Sequence, residues 1–407
     1  MGPQPRQMGE DGPMNSATQR AWSWHKQGLD GSLEGHGSGR VLSAAGWARS
    51  VGGANPYLTL FARAGIRREE ADADVAALRI HELPTARGCT YVLGADDFAW
   101  ALTLGAGAAE AQAKVLDKLD VPRSELAALE GDVLAVLGAG VGHGEGSPAT
   151  LDPKELKDRL GGSVRSLGEA GKKKGASTTL PAVLGLLQAD GRIRRVPVNG
   201  RLDQQRYSYA AWGLEPATES PEQARALLME RYLGWTGGAT LKETRWFTAF
   251  TVAQTKAALA GAGAVEADGL WMLPADADER ENFVAPKDEQ IQLLAGSDSL
   301  FLLRRNAASH FAEEDAGRQL GSTRLALQAD LPDHPIVDRG RIIGLWQYDP
   351  GEERIAHWLF GAPTKAVTQR LKEVEAFIRE DLGDFRSFSL DSPSSRQKRI
   401  DALNAAG

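Results

Sequence analysis

Eight basic residues crowd one short stretch of the chain: Lys172, Lys173, Lys174, Arg192, Arg194, Arg195, Arg201 and Arg206. Only Asp190 and Asp203 oppose them, so eight minus two leaves six positive charges in a chain whose formal net charge is −7. Lys and Arg presented on loops and hairpins grip phosphates, and such contacts carry most sequence-independent affinity for nucleic acid. The alternative is a solvated loop beside a hairpin edge guarded by charge. Because loop and hairpin belong to one unit, double-stranded DNA is the expected partner. Handling a base would demand more, namely polar side chains set against the sugar or a water at the groove. Asn55, in the Gly-rich turn 51–55, is one candidate catalytic residue. Tyr91, in the run Arg-Gly-Cys-Thr-Tyr, is the second, and Arg87 in the same run is a candidate DNA contact.

Other chemistry finds little footing. Asp96 and Asp97 could be acid–base carboxylates, but paired Asp before an apolar helical run reads first as an N-cap. The seven histidines are scattered without metal-ligand spacing, so neither a metal nor a cofactor is expected. No nucleophile elbow and no phosphate-cradling glycine loop occurs, and the glycines of 138–146, with His143, read as linker. Cys89, the single cysteine, excludes an internal disulfide and reads as a small packed residue.

The elements that must position these residues follow from periodicity. Helices are expected over 17–28, 40–50, 56–64, 69–83 and 95–104, with a short strand over 90–93. A second unit opens with a capped helix at 152–160, continues with a helix capped by Ser177, Thr178 and Thr179, and ends in a hairpin around Asn199-Gly200. Helix, helix, hairpin is the winged-helix order. It recurs with helices over 221–233, from 240 and over 252–260, then a hairpin around Asp268-Gly269. The two units span roughly 65 to 75 residues each. Beyond residue 285 the stretches 290–294, 299–303, 335–337, 341–348 and 354–359 read as strands, followed by an amphipathic helix from Pro363.

The chain has 407 residues, 42% hydrophobic and 25% charged, enough for several domains. The expected division is a disordered leader 1–15, winged-helix units 16–140, 141–215 and 216–285, a β-rich domain 286–390 and a mobile tail 391–407. The leader is polar and lacks the apolar core of a signal peptide, and no run approaches the roughly 18 apolar residues of a membrane span. A cytoplasmic, nucleoid-associated monomer is expected, with no membrane partner.

Four segments in order resemble one family, the AlkZ/YcaQ-like DNA glycosylases: ARGCTYVLGADDFAWAL, ERYLGWTGGATLKETRWFTAFTVAQTKAAL, LLAGSDSLFLLRR and VDRGRIIGLWQ. The likeness runs with gaps from about residue 17 to about residue 382. It implies an α+β fold of three tandem winged-helix units followed by a β-barrel-like domain, clasping DNA and excising alkylated purines or unhooking crosslinks without a metal. It also implies a Gln-x-Gln type motif at Gly53-Ala54-Asn55, where the first glutamine is Gly53, and a histidine where Tyr91 stands. Glycine cannot orient water, and tyrosine cannot replace an imidazole near neutral pH. The implied function is therefore a DNA-repair-linked DNA-binding protein with a degenerate catalytic motif. An active glycosylase with a variant site and a winged-helix transcriptional regulator stay open beside it.

Overall fold

Helix starts in this chain are written locally. Asp152, Ser220, Thr240 and Thr251 each bond back to the N–H three residues on, while Glu155, Gln223, Glu243 and Gln254 return the bond. These reciprocal caps satisfy orphan N–H groups, each worth about 1 kcal/mol. They set the helices Pro153–Leu160, Pro221–Thr236, Leu241–Thr248 and Val252–Gly261. A computed structural model describes residues 16–51, 53–138, 150–203, 206–388 and 390–407. The leader 1–15 and most of the 138–146 stretch, His143 included, lie outside the described residues.

The two expected helix–hairpin units have the expected order. Leu241–Thr248 and Val252–Gly261 meet across a turn in which Ala249 takes φ 57, and the hairpin Val265–Ala267/Leu270–Met272 follows. Asp268 (φ 52) and Gly269 (φ 74) make its two-residue loop, the left-handed pair such a tight hairpin requires. In the other unit Leu180–Ala189 leads to Ile193–Pro197 paired with Tyr207–Ala211. Asn199 and Gly200 are both left-handed, yet the chain does not turn straight back there. Pro197 pairs with Tyr207, so the loop is long and its tip folds inward: Leu202 is buried and its N–H donates to the Tyr57 hydroxyl at 2.8 Å.

Several expectations fail for tertiary reasons. The 69–83 stretch splits into the helix Arg68–Ala76 and the strand Ile80–Pro84, because Leu78 turns left-handed (φ 56). Thr179 stands at the start of its helix without capping it; its hydroxyl accepts from Arg165 N–H at 3.2 Å instead. Asp97 caps nothing either. Its buried carboxylate accepts from Trp47 Nε1 at 2.9 Å and from Arg231 at 3.1 Å. The stretch 299–303 is the short helix Ser299–Leu302, capped by Asp298, and not a strand. Phe98–Asp117 runs well past residue 104, and Arg123–Gly138 is a further helix.

The C-terminal region is no closed barrel among the described residues. Its strands order as Arg354–Leu359, Arg341–Asp349, His334–Asp338, Ile291–Leu293, all antiparallel, with both edges open. Arg341–Asp349 is apolar on both faces, and a sheet buried on both faces needs two covers. Ile336, Trp346 and Tyr348 share a core with Val367, Val374 and Phe377 of the helix Lys365–Phe377. Val337, Ile342 and Leu345 pack with Leu403 of the helix Pro393–Ala406. The expected mobile tail is therefore largely a docked helix, with Ile400 and Leu403 buried.

One ion pair ties the early helices to this region. Arg63, on the helix Asn55–Ala64, meets Asp298 with two bonds of 2.8 Å while both side chains are fully buried. The same guanidinium donates to Gln27 O at 2.9 Å, Gln27 Oε1 at 3.0 Å and Ser299 Oγ at 3.0 Å. Breaking a buried pair strands a charge and costs about 3–5 kcal/mol. Asp298→Ala should therefore lower the thermal midpoint severely, and a midpoint within a degree or so of native would show the pair to be dispensable.

Candidate nucleic-acid interface

The strand Thr90–Gly94 lies between Ala48–Arg49 and Ile80–Pro84, which pairs Tyr91 with Arg49 on one side and Leu83 on the other. The Arg49 guanidinium sits 5.3 Å from the centre of the Tyr91 ring and donates to Thr90 O at 3.2 Å. The turn joining the 80–84 and 90–94 strands closes through Thr85 N–H to Cys89 O at 2.8 Å, and puts Arg87 in the left-handed region (φ 61). There Arg87 stacks on Trp246 at 4.1 Å, with Arg305 5.7 Å from the same ring. Such stacking orients a guanidinium while leaving its N–H edges free.

These residues line one cleft of about 530 Å³, with Gly296, Leu331, Pro332, His334 and Gln347 below and Ser387, Phe388, Asp391, Ser395, Arg396 and Arg399 along one side. Five arginines line it against two carboxylates, Asp330 and Asp391. Three of the arginines are engaged: Arg305 with Asp330 at 2.7 Å, Arg396 with Asp384 at 2.7 Å, and Arg399 with Asp333. Among the described residues Arg49 and Arg87 meet no carboxylate, which leaves their charge for an anion.

Two titratable groups of the cleft, Tyr91 and His334, are held neutral. Burial pushes the Tyr91 phenol up to about 12, so it stays a hydroxyl and performs no acid–base step near neutral pH. Burial takes His334 down to about 3. Its Nδ1 accepts from Gly296 N–H at 3.0 Å, so the neutral ring carries its proton on Nε2, 3.1 Å from Ser387 Oγ. The imidazole lone pair is therefore spent, and His334 cannot activate Ser387 as a nucleophile. It can only present the Ser387 hydroxyl.

The expected site residues divide. Arg87 and Tyr91 share the cleft. Asn55 lies beneath it, 1% exposed, its Nδ2 donating to Arg49 O at 3.0 Å and its Oδ1 without a protein partner. Gly53 and Ala54 open on a separate small cavity with Arg201, Asp203, Leu382, Asp384 and Arg386. A Cβ on Gly53 would come within 2.6 Å of Arg386 O and closer still to Ser387 O, so no glutamine fits this backbone.

The basic stretch does not act as one surface. Lys172, Lys173 and Lys174 are exposed, Lys172 pairing with Glu169 at 2.7 Å. Arg192 and Arg206 are exposed, while Arg194 is half-buried near His81. Arg195 stacks on Tyr207 at 4.2 Å, reaches Glu82 at 3.4 Å, and lines a second cavity. Arg201 is bound to Asp203 and donates to Leu382 O at 3.0 Å, drawn inward with the loop tip.

Arg49, Trp246, Arg305, Arg396 and Arg399 were not legible as site residues. Trp246 carried a signal, since it sits off the buried stripe Thr244, Phe247, Thr248 of its own helix. The cleft residues beyond 391 had none, because their helix shows few apolar positions.

Two arginines stacked on aromatic rings, Arg49 and Arg87, give this cleft on its mixed α/β scaffold the charge to hold an anion. A family model described as "DNA glycosylase AlkZ-like" matches residues 48–379, and the chain belongs to that family. The solved structure of Streptomyces sahachiroi DNA glycosylase AlkZ is similar in fold, with a TM-score of 0.64 and 18% identity over 92% of this chain and 98% of that one. Comparison with curated proteins returns no match. Among the described residues no helix is long and apolar enough to cross a membrane.

His81, buried with neither ring nitrogen partnered, is pushed down to about 3 by burial and by Arg194 and Arg195. The unfolded chain takes up this proton near pH 6.5 and the folded one does not, so stability falls as pH drops below about 6.5. His81→Phe removes that uptake. Its thermal midpoint should gain on the native protein as pH is lowered from about 7.5 to about 5, and a constant difference would refute this protonation argument.

Proposed function

We propose that this chain is a winged-helix protein, with units over 16–140, 141–215 and 216–285, that binds duplex DNA as a monomer at the nucleoid. In this reading the 48–91 sheet, Trp246 and the C-terminal segment grip the backbone. The 53–55 turn takes no part in hydrolysis. The observation that carries this is the close approach of the 386–387 backbone to Gly53, which leaves the motif's first position no room for a side chain. Asn55, buried and tied to Arg49 O, keeps the turn in shape. The contacts to phosphate then fall to Arg49 and Arg87, with the exposed Lys172, Lys173, Lys174, Arg192 and Arg206 adding outlying charge.

A second reading, excision of an alkylated purine, is favoured by Asp391. Its carboxylate lines the cleft and is oriented by Ser387 N–H at 2.7 Å, where it could stabilise the positive charge developing on a sugar.

Arg49→Ala and Arg87→Ala should each weaken duplex binding and reduce the slope of log K against log salt by about one, whereas Arg201→Ala should leave it unchanged. An unaltered slope in both cleft variants would remove the cleft as the phosphate contact. On duplex containing 7-methylguanine, any abasic-site yield should survive Asn55→Ala and vanish in Asp391→Asn. Loss of product in Asn55→Ala, with Asp391→Asn still active, would return catalysis to the 53–55 turn.

A further inference from the structure

Residues 380–407 lie beyond the family match, yet they build one side of the cleft. The segment entering it is held firmly. Phe385 is buried against His334 and Trp346, with ring centres 4.7 and 5.1 Å away. Arg396 donates to Phe385 O at 2.8 Å and pairs with Asp384, while Arg386 O accepts from Ala54 N–H at 3.0 Å. Ser387 is fixed from both ends, by His334 and by the Asp391 carboxylate. Asp391 N–H donates to Phe388 O at 3.1 Å, which closes a tight turn.

Two apolar side chains of this anchored segment face water. Phe388 lines the cleft at 43% exposure, and Leu390 stands 82% exposed two residues on. Val284 and Leu327 are also exposed, but neither stands within two residues of a position lining this cleft, whereas Leu390 lies between Phe388 and Asp391, which both do. Single exposed apolar residues need no account; two on one anchored segment at the edge of a cleft that holds Arg49 and Arg87 do. Proteins that distort DNA pair charge on the backbone with an apolar wedge pushed between base steps, where the wedge takes up the stacking surface that bases lose.

The geometry points to Phe388 and Leu390 as a wedge that enters the DNA stack when the backbone is gripped by Arg49 and Arg87. This inference rests on the cleft reading above and specifies how the same site engages its duplex. The rigid root matters, because a floppy tip would lose in ordering entropy what insertion gains. The wedge also belongs to this chain's own C-terminal segment, outside the region the family match covers.

A duplex with one central 2-aminopurine reports the event, since its fluorescence rises when the base leaves the stack. Saturating native protein should raise it. The Phe388→Ala/Leu390→Ala double variant should lose about fivefold of that rise, while its affinity for the same duplex at low salt stays within about threefold. Phe388→Trp, retaining a broad ring, should keep the rise. Thermal unfolding of both variants should match native, as the side chains are exposed. A double variant that unstacks the base as well as native overturns the wedge alone. One that binds or unstacks better overturns it too, making the tip a plug over the cleft. Native protein with no affinity for the duplex overturns the cleft reading and the wedge together.

Discussion

The cleft depends on two stretches of backbone lying closer than a side chain would allow. Gly53 lets the 386–387 carbonyls settle against the turn ahead of the Asn55–Ala64 helix, and Ala54 N–H then reaches Arg386 O. Glycine serves here for want of a Cβ, not for an unusual dihedral. From that contact the C-terminal segment is aimed: Phe385 goes into the core, Ser387 onto His334, and Arg396 and Arg399 along the cleft. The same contact leaves no room for any side chain at residue 53.

Burial rather than charge sets the chemistry inside. His334 and Tyr91 are both neutral, because a desolvated imidazolium or phenolate would cost more than their surroundings return. With these two groups neutral, the positive character of the cleft comes from arginines lying over aromatic rings. Those guanidiniums are positioned by stacking, and apart from the Arg49 bond to Thr90 O they keep their N–H edges for an external anion. The Arg63–Asp298 pair works behind this surface, fixing the helix that follows the turn against the region that supplies the cleft floor.

What was legible in the sequence is what is encoded over a few residues. The Asp268-Gly269 hairpin, the capped helix start at Asp152 and the order of helices before each hairpin depend on neighbours, and they stand as read. Arg87 and Tyr91, named together because they sit on one short turn and strand, do line one cleft. The failures are long-range. Asp97 looks like a cap until Trp47 and Arg231 claim it, and Arg201 looks like a wing cation until Leu202 is drawn under Tyr57. The tail resembles a mobile end because Ile400 and Leu403 are sparse among polar residues. Only the uncovered face of the distant 341–349 strand gives them a purpose.

Hydrogen–deuterium exchange with and without a short duplex tests the central claim, that DNA lies in this cleft, most directly. Peptides covering 85–91, 241–250 and 384–399 should gain protection on binding, while the inward loop tip around Arg201 stays as it was. Protection confined to 168–175 and 192–206, with the cleft peptides exchanging at their free rates, would contradict the account.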